Sequence, residues 1–314
     1  MKNINKLSKY FWQYNKESEL FNDKISNNNF NIHYYLDLSK KIGDKESFTL
    51  FDDDGIPLKY IKGIGNVYNP TRICGYGLGC LELFLKTNEI RYKENFVKQA
   101  EWLVRNVESV NNKFYGWLYK FPGPFRLKPP WISGMAQGEG ISLLLRAYEL
   151  TKDSKYLNVA EKAFPSFNYD ISERGVKYIS EDHLLFFEEI PSIPPMHILN
   201  GFIFALFGIF DYYCITKDEL ALKLFNEGIT TLEKYLPIYD LGFWSRYDLL
   251  KKRFPNVASI FYHTVHIAQL KALYKITGNE IFRKYIFLWE ECLFDIRKRI
   301  LALTLKIIHK IFYY

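Results

Sequence analysis

The stretch FYHTVHIAQL, residues 261–270, places three side chains that can move protons or bind a metal within five positions. His263 and His266 are three residues apart, which in a helix puts them on one face, where they can share a metal ion. Alternatively, His263 assists proton transfer by Tyr262 beside it, or the whole stretch is ordinary helix packing. No third ligand stands at a supporting spacing, so the sequence predicts no metal site and a structural role for His266.

Three further helices are preceded by a proline- or aromatic-rich segment, as residues 259–270 are here. Those segments are 66–77, 127–138 and 188–202. If the four helices gather around one axis, their free N-terminal N–H groups point into a common cleft, which favours an anion such as a carboxylate. The residues predicted to meet there are Asn69, Arg72, Trp131, Gln137, Glu188, Glu189, Asn200, Tyr262 and His263.

Several of these residues also have a structural interpretation. Trp131 either stacks on a sugar face or packs in the core, and Gln137 either binds sugar hydroxyls or ties helices together. Glu189 either acts as an acid or base in the reaction or interacts with the positive N-terminus of the helix that follows it. Glu188 is expected to lie behind the site or at the surface, and Tyr262 can also be an aromatic residue that fixes the start of its helix.

The four helices belong to an internal repeat with a period near sixty residues. Each unit reads as an apolar, small-residue helix, a short polar turn and an amphipathic helix. A threonine marks each turn, at spacings of 64, 65 and 61 residues. The four threonines are Thr87, Thr151, Thr216 and Thr277. The residues predicted to cap the second helices are Asn88, Asp153, Asp218 and Asn279.

This pattern predicts a mainly α fold, an α/α toroid of about four helical hairpins whose first helices face inward. Residues 114–121, 174–180 and 242–249 combine glycine with aromatic residues and are predicted as short extended excursions between hairpins. Residues 1–66 are predicted to form a small β-rich N-terminal element, with two strands around the turn at Asp52–Gly55. The aspartates of that turn lack the alternating spacing of a calcium loop. The toroid domain then covers residues 67–295.

The composition suits a globular protein with an aromatic cleft. Aromatic residues make up 18% of the chain, and rings of this kind line both sugar-binding clefts and cores. The net charge of +7 comes without a block of five or six like charges, which argues against nucleic-acid binding. The four cysteines show no CxxC spacing, so neither a zinc ribbon nor a disulfide framework is indicated. No signal peptide and no membrane-spanning run are recognised, so a cytoplasmic location is expected.

Residues 296–314 read as a basic amphipathic C-terminal helix beyond the fourth unit. Its basic residues are Arg297, Lys298, Arg299, Lys306 and Lys310. One interpretation is a peripheral contact with an anionic membrane surface. The other is a terminal helix that docks on the toroid or on a partner subunit as a homodimer.

Five blocks of the sequence, in the same order, resemble the C-terminal domain of the D-glucuronyl C5-epimerases, which invert the uronic acid of heparosan-type polysaccharides. The blocks are YGLG (76–79), PWISGMAQGEGISLLLRAYELTKDSKYL (130–157), EEIP with ILNGFIFALFGIFD (188–191 and 198–211), LPIYDLGFWSRYDL (236–249) and FYHTVHIAQL (261–270). The resemblance implies an α/α toroid, a substrate that is a uronic-acid-containing polysaccharide, and no cofactor. The chain resembles a compact, prokaryotic-type member of this family.

The resemblance also implies site residues. Glu189, Tyr247 and Tyr262 match a glutamate and two tyrosines of the family pattern. Ile190 stands where the family has a tyrosine, and Leu250 stands where an arginine is expected. Arg246 and Arg253 are the candidates to supply the missing charge.

Epimerisation at C5 removes a proton alpha to a carboxylate and returns one to the opposite face, so it needs two acid/base groups and a group that steadies the enolate-like charge. Glu189 and Tyr262 are the predicted pair, with Tyr247 as a contact to the substrate. A lyase on the same fold begins by removing the same C5 proton, but it then expels the oxygen bonded to C4. A non-catalytic glycan-binding or assembly protein is the third hypothesis, which Ile190 and Leu250 favour.

Overall fold

The computed structural model describes residues 20–26, 29–43, 47–124 and 127–313, and four helical hairpins dominate this part of the chain. The hairpins are α1 (Pro70–Thr87) with α2 (Ile90–Asn106), α3 (Gly134–Thr151) with α4 (Ser154–Ala163), α5 (Leu199–Thr216) with α6 (Glu219–Tyr239), and α7 (Ile260–Thr277) with α8 (Glu280–Phe294). The first helices pack in the order α1, α3, α5 and α7, and each second helix packs on its own first helix. The predicted α/α toroid of four hairpins is confirmed.

The inner helices are rich in glycine because their backbones touch. A Cβ on Gly138 of α3 would collide with the Phe204 carbonyl of α5, and a Cβ on Gly208 would collide with the backbone of Gly138. On the other side of α3, a Cβ on Gly77 of α1 would stand 2.6 Å from Leu143. Any larger side chain at these positions would push neighbouring helices apart.

The four turns share one hydrogen-bonding pattern. Each threonine ends its first helix and donates from its hydroxyl to the carbonyl four residues earlier, at 2.7 to 2.8 Å. The same hydroxyl accepts the backbone N–H two residues later, and the residue between them has a left-handed backbone. Asp153, Asp218 and Asn279 cap the second helices as predicted. Asn88 does not, because it is itself the left-handed residue, with φ of 56°, and Glu89 precedes α2.

Three two-stranded antiparallel sheets stand between the helices. They are β1 (Leu58–Ile61) with β2 (Gly65–Tyr68), β3 (Glu108–Val110) with β4 (Phe114–Gly116), and β5 (Lys177–Ile179) with β6 (Leu185–Phe187). The predicted excursions at 114–121 and 174–180 therefore contain strands, whereas 242–249 contains only isolated bridges. The predicted hairpin around Asp52–Gly55 is a single bridge, Phe51 to Pro57, and the main hairpin of this region is β1–β2.

The N-terminal segment joins the first inner helix to the last. The short 3-10 helix Ser39–Lys41 packs on α1, and the Lys41 ammonium lies 4.4 Å above the ring of Phe261 in α7. Earlier in the segment, the Tyr35 hydroxyl donates at 2.8 Å to Asp211, which forms a fully buried ion pair with Arg146 at 2.6 Å. The segment is thus fixed across the inner helices and forms part of the toroid.

Two apolar helices have different surroundings. Contrary to the sequence expectation, α5 is long and apolar enough to cross a membrane, but 83% of it is buried within the fold, where it packs against α3, α6 and α7. The C-terminal residues form α9 (Ile296–Tyr313), which docks on α8 and buries Ala302 and His309. Its outer face exposes large apolar side chains, among them Ile300, Ile311 and Phe312.

Further 3-10 turns cover Phe164–Asn168 and Ile171–Glu173.

Candidate active site

A cleft of about 1350 Å³ opens at the N-terminal ends of the four inner helices. Every one of the four leading segments contributes to its wall. Their lining residues include Asn69, Thr71 and Arg72 from the first, Trp131, Ser133 and Met135 from the second, Glu189, Ile190 and Asn200 from the third, and Ser259, Ile260 and Tyr262 from the fourth. Six of the nine residues predicted to meet there do so, and Gln137, Glu188 and His263 do not line the cleft.

Side-chain caps fix three of the helix starts. Asn69 accepts the N–H of Arg72 at 3.0 Å, Ser133 accepts that of Ala136 at 3.3 Å, and Ser259 accepts that of Tyr262 at 3.2 Å. Helix α5 has no side-chain cap. At its start, the carboxylate of Glu189 lies directly over Gly201, whose missing side chain leaves the necessary space. Glu189 is therefore placed at the positive end of α5.

The Glu189 carboxylate is held in an unusual electrostatic environment. Its Oε2 is buried and accepts no hydrogen bond from the residues that the structure describes. Burial, reinforced by the negative charge of Glu188, raises the pKa of Glu189 to about 7. A carboxyl group in this state exchanges protons readily near neutral pH, which suits general acid/base chemistry.

Glu188 lies behind the cleft and organises the loop before α5. It accepts the backbone N–H groups of Met196 and His197 at 3.2 and 3.0 Å, and its other oxygen contacts the His197 ring nitrogen at 2.6 Å. Its effect on the cleft is thus electrostatic, through the pKa of Glu189.

Tyr262 and Tyr247 form a pair at the start of α7. Their rings meet edge to face with centroids 4.8 Å apart, so a hydrogen bond from the Tyr247 hydroxyl would favour the ionised form of Tyr262. Burial, followed by the charge of Glu189, raises the pKa of Tyr262 to about 12. Tyr262 lines the cleft and carries its proton at neutral pH, whereas Tyr247 stands behind it.

Glu139 is a site residue that sequence reasoning missed. It lies on α3, only 2% exposed, lines the cleft, and has an oxygen without a hydrogen-bond partner among the described residues. Burial raises its pKa well above the ordinary value, opposed by the charge of Lys41 and reinforced by that of Glu189. The signal for it was an acid within the small-residue segment GMAQGEG of an inner helix.

The aromatic wall of the cleft is a stacked pair. Trp131 lies against Tyr119 with ring centroids 4.1 Å apart, and its indole N–H donates to the Phe121 carbonyl at 2.9 Å. The Tyr119 hydroxyl contacts the Thr71 hydroxyl at 2.5 Å. Trp131 therefore packs against Tyr119 in the wall of the cleft, and its stacking on a sugar face stays a prediction.

Gln137 ties secondary-structure elements together. Its carbonyl accepts the Trp117 N–H at 3.0 Å and its amide donates to Ser166 at 3.0 Å, which joins α3 to the segments after β4 and α4. Asn200, in contrast, lines the cleft and has a buried carbonyl oxygen without a partner in the described part of the chain.

The histidine pair lies in the core behind α7. His263 stacks on Trp244 at 3.9 Å, accepts the Ser245 N–H at 3.2 Å, and contacts the Trp289 carbonyl at 3.1 Å. Burial lowers the pKa of His263 to about 3 and that of His266 further below its usual range, so both rings are neutral. Among the described residues no cluster can hold a metal ion, and neither histidine reaches the cleft.

Arg246 and Arg253, which were predicted to supply the missing positive charge, do not line the cleft. Arg253 is exposed and lies over the ring of Phe254. Arg246 pairs through its backbone with Tyr239 and Val257, and its charge acts on the Tyr239 hydroxyl. In the described part of the chain, the cationic side chains that do line the cleft are Lys41, Lys59, Lys62, Arg72, Lys306 and Lys310.

Two positions that depart from the family pattern share one apolar environment. Ile190 forms a small buried cluster with Met196 and Ile198, and Tyr247 and Leu250 pack against it. An arginine at position 250 would lie against this apolar cluster, where its charge would be costly to bury. The two departures are therefore mutually consistent.

Comparisons with known proteins agree with this geometry. The family model described as the D-glucuronyl C5-epimerase C-terminus matches residues 110–291, which is more than half of the chain. The chain is 32% identical over 219 residues to a D-glucuronyl C5-epimerase of Caenorhabditis elegans, covering 63% of this chain and 35% of that protein. It is 34% identical over 202 residues to an uncharacterised protein of Methanocaldococcus jannaschii, covering 63% of this chain and 64% of that one.

A solved structure shares the fold. A GH76 α-mannanase of Bacteroides thetaiotaomicron superposes with a TM-score of 0.50 and 14% identity, covering 76% of this chain and 57% of that one. At this identity the likeness concerns the fold alone. With the family match and the four leading segments gathered around one cleft, the chain belongs to the D-glucuronyl C5-epimerase C-terminal family.

Proposed function

We propose that the protein is a C5-epimerase that inverts uronic acid residues, of the glucuronate and iduronate type, in an acidic polysaccharide or its precursor. The observation that carries the proposal is the presence of Glu189 and Tyr262 in one cleft, from different repeat units, with pKa values near 7 and 12. Family membership supports the same reaction.

The two pKa values assign the roles for one direction of the reaction. Ionised Glu189 takes the C5 proton, and the electron pair of the C–H bond passes into the carboxylate to give an enolate-like intermediate. The Tyr262 hydroxyl then returns a proton to C5 from the opposite face. One proton leaves and one is added, so substrate and product have the same composition. Solvent afterwards protonates Tyr262 and deprotonates Glu189, which resets the site.

Two other groups stabilise the charges that appear. A hydrogen bond from Tyr247 to Tyr262 would stabilise the transient phenolate. Glu139, protonated because of its burial, offers an O–H donor to the negative charge that develops on the substrate. No step requires a metal or cofactor.

The charge of the cleft supports an anionic ligand. Among the residues that the structure describes, six lysine and arginine side chains line it, against the two glutamates at positions 139 and 189. Such an excess attracts a polymer with one carboxylate in each repeating unit. Trp131 and Tyr119, each less than 10% exposed, add an aromatic wall to this cleft.

Incubation with uronic acid polysaccharides in deuterated water tests the proposal. An epimerase introduces deuterium at C5 and leaves the chain intact. Chain cleavage with an unsaturated, ultraviolet-absorbing product means that the protein is a lyase instead. Lack of exchange on every uronate polymer at high protein concentration overturns both catalytic functions and leaves a glycan-binding role.

Variants assign the exchange to the site. Glu189→Gln and Tyr262→Phe are each expected to lower C5 exchange about 100-fold or more. Glu181→Gln, which changes an exposed glutamate outside the cleft, is the matched control and keeps full exchange. Full activity in both site variants would show that the proton is moved by other residues.

A further inference from the structure

Helix α9 forms one wall of the cleft. Ala302, Leu303, Lys306 and Lys310 line it, and their spacing puts them on one face of the helix. Ala302 is only 3% exposed, so the helix is anchored by packing at this face. The C-terminal helix thus brings two basic residues to a site otherwise built from the four hairpins.

Lys306 is directed towards the tyrosine pair. Its ammonium lies 5.4 Å from the centre of the Tyr247 ring, and that ring meets the ring of Tyr262 edge to face. The ammonium donates one hydrogen bond, at 2.7 Å, to the side-chain carbonyl of Asn256. Asn256 in turn donates to Asp248 at 2.5 Å, so an amide separates the lysine from the nearest carboxylate.

The charge of Lys306 is only partly satisfied by the protein. Within the described residues it forms no ion pair, and its hydrogen-bond acceptor is a neutral amide. An ammonium group has three N–H donors, so two remain for another acceptor. Burial lowers the pKa of Lys306 to about 8, while Asp248 opposes and Lys310 reinforces that change. A half-buried cation with unused donors at a cleft wall is suited to an anionic ligand.

A second lysine stands at the other end of the same aromatic row. Lys41 lies over Phe261, whose ring centroid is 5.4 Å from that of Tyr262. Lys41, however, acts on the carboxyl group of Glu139. Of the two lysines, Lys306 is the one that lies over the tyrosine pair.

We propose that Lys306 binds the carboxylate of the uronic acid residue whose C5 proton is removed and stabilises the charge that develops on it. This inference rests on the proposed function, because in that reaction the carboxylate is one bond from C5, the carbon from which Glu189 removes a proton and to which Tyr262 returns one. Lys306 then supplies the cation that the family pattern leads one to expect at position 250. Leu250 itself packs against the Ile190 cluster and carries no charge.

The test compares Lys306→Gln, Lys306→Arg and the control Arg297→Gln, which removes an equal charge from an exposed position of the same helix. Binding of a panel of uronate oligosaccharides and of their carboxyl-reduced counterparts is measured by calorimetry. Wild type is expected to prefer the uronate form, and Lys306→Gln to lose that preference through about tenfold or greater weakening of uronate binding alone. Lys306→Arg is expected to retain it, and Arg297→Gln to match wild type.

The same variants are measured for C5 exchange and for thermal unfolding. If wild type exchanges, Lys306→Gln is expected to lower kcat as well as raise KM, because the carboxylate gains charge during the reaction. An unchanged preference for the uronate in a folded Lys306→Gln variant, or no preference in wild type, overturns the inference. Preference for the uronate without any C5 exchange overturns the proposed function and leaves the carboxylate-binding role of Lys306 intact.

Discussion

The rings of Tyr247 and Tyr262 meet edge to face with centroids 4.8 Å apart. This contact joins the irregular segment after α6 to the first turn of α7, and a hydrogen bond from Tyr247 would stabilise the ionised form of the cleft-lining tyrosine. Lys306 lies over the ring of Tyr247, so Lys306, Tyr247 and Tyr262 form one connected group.

Removing the donor of this pair tests its importance. Tyr247→Phe keeps the ring packing but leaves the Tyr262 phenolate without its hydrogen bond. We expect kcat for C5 exchange to fall about tenfold, which corresponds to the loss of one hydrogen bond to a charged group. Tyr262→Phe should lose much more, because it removes the acid itself. Equal losses in the two variants would contradict the assignment of Tyr262 as the group that transfers the proton.

Gly201 leaves space for the carboxylate of Glu189. In Gly201→Ala the new methyl group would collide with Glu189, 2.5 Å from its Cβ, so the carboxylate must move. We expect a loss of exchange of about tenfold to 100-fold without loss of folding, since alanine favours a helix. Gly43→Ala is the control, because an added Cβ there meets no atom within 4 Å. Wild-type activity in Gly201→Ala would show that the position of Glu189 is not critical.

The rate should depend on pH in two limbs. The ionised form of Glu189 is the base, so kcat/KM should rise with pH through about 7. Lys306 loses its positive charge as pH rises through about 8, so the rate should fall above that value. In Lys306→Arg the alkaline limb should move to higher pH, because arginine stays charged. An alkaline limb that is identical in both proteins would show that another group causes it.

The raised pKa of Glu189 also affects stability. Because the folded value of about 7 exceeds the ordinary 4.5, its stabilising effect is complete below about pH 4.5 and is lost as pH rises towards 7. Glu189→Gln removes this dependence. Between pH 5 and 8, denaturant unfolding should show the free energy of unfolding of the variant rising relative to wild type by about 2 kcal/mol. A constant difference across that range would mean that the pKa of Glu189 is ordinary.

The outer face of α9 is expected to bind an anionic lipid surface. Ile300, Ile311 and Phe312 are exposed there, Arg297 and Lys310 flank them, and the helix contains no acidic residue. The protein should co-sediment with vesicles that contain phosphatidylglycerol and not with neutral vesicles, and Ile311→Glu should weaken the binding. A concentration-dependent dimer that Ile311→Glu dissociates, without vesicle binding, would identify a second copy of the chain as the partner instead. The cytoplasmic location likewise stays a prediction.

The sequence by itself determined the features that depend on local interactions. Each threonine turn closes through hydrogen bonds between residues two to four positions apart, so its pattern is visible in the repeat. The caps Asp153, Asp218 and Asn279 follow from the same short-range physics. Asn88 shows the limit, because a shift of one residue in the turn gave it the left-handed backbone position.

Only the tertiary structure decided which side chains meet. Glu139, Lys41 and Lys306 come from α3, the N-terminal segment and α9, and no sequence spacing connects residues so far apart in the chain. The pKa of Glu189 depends on burial and on its neighbour, and His263 was removed from the site by its packing on Trp244. The sequence could therefore predict the hairpins and the presence of Glu189 and Tyr262 in one cleft, whereas their catalytic roles stay a prediction. The charges around that pair arise from long-range packing and desolvation, which exist only once the chain has folded.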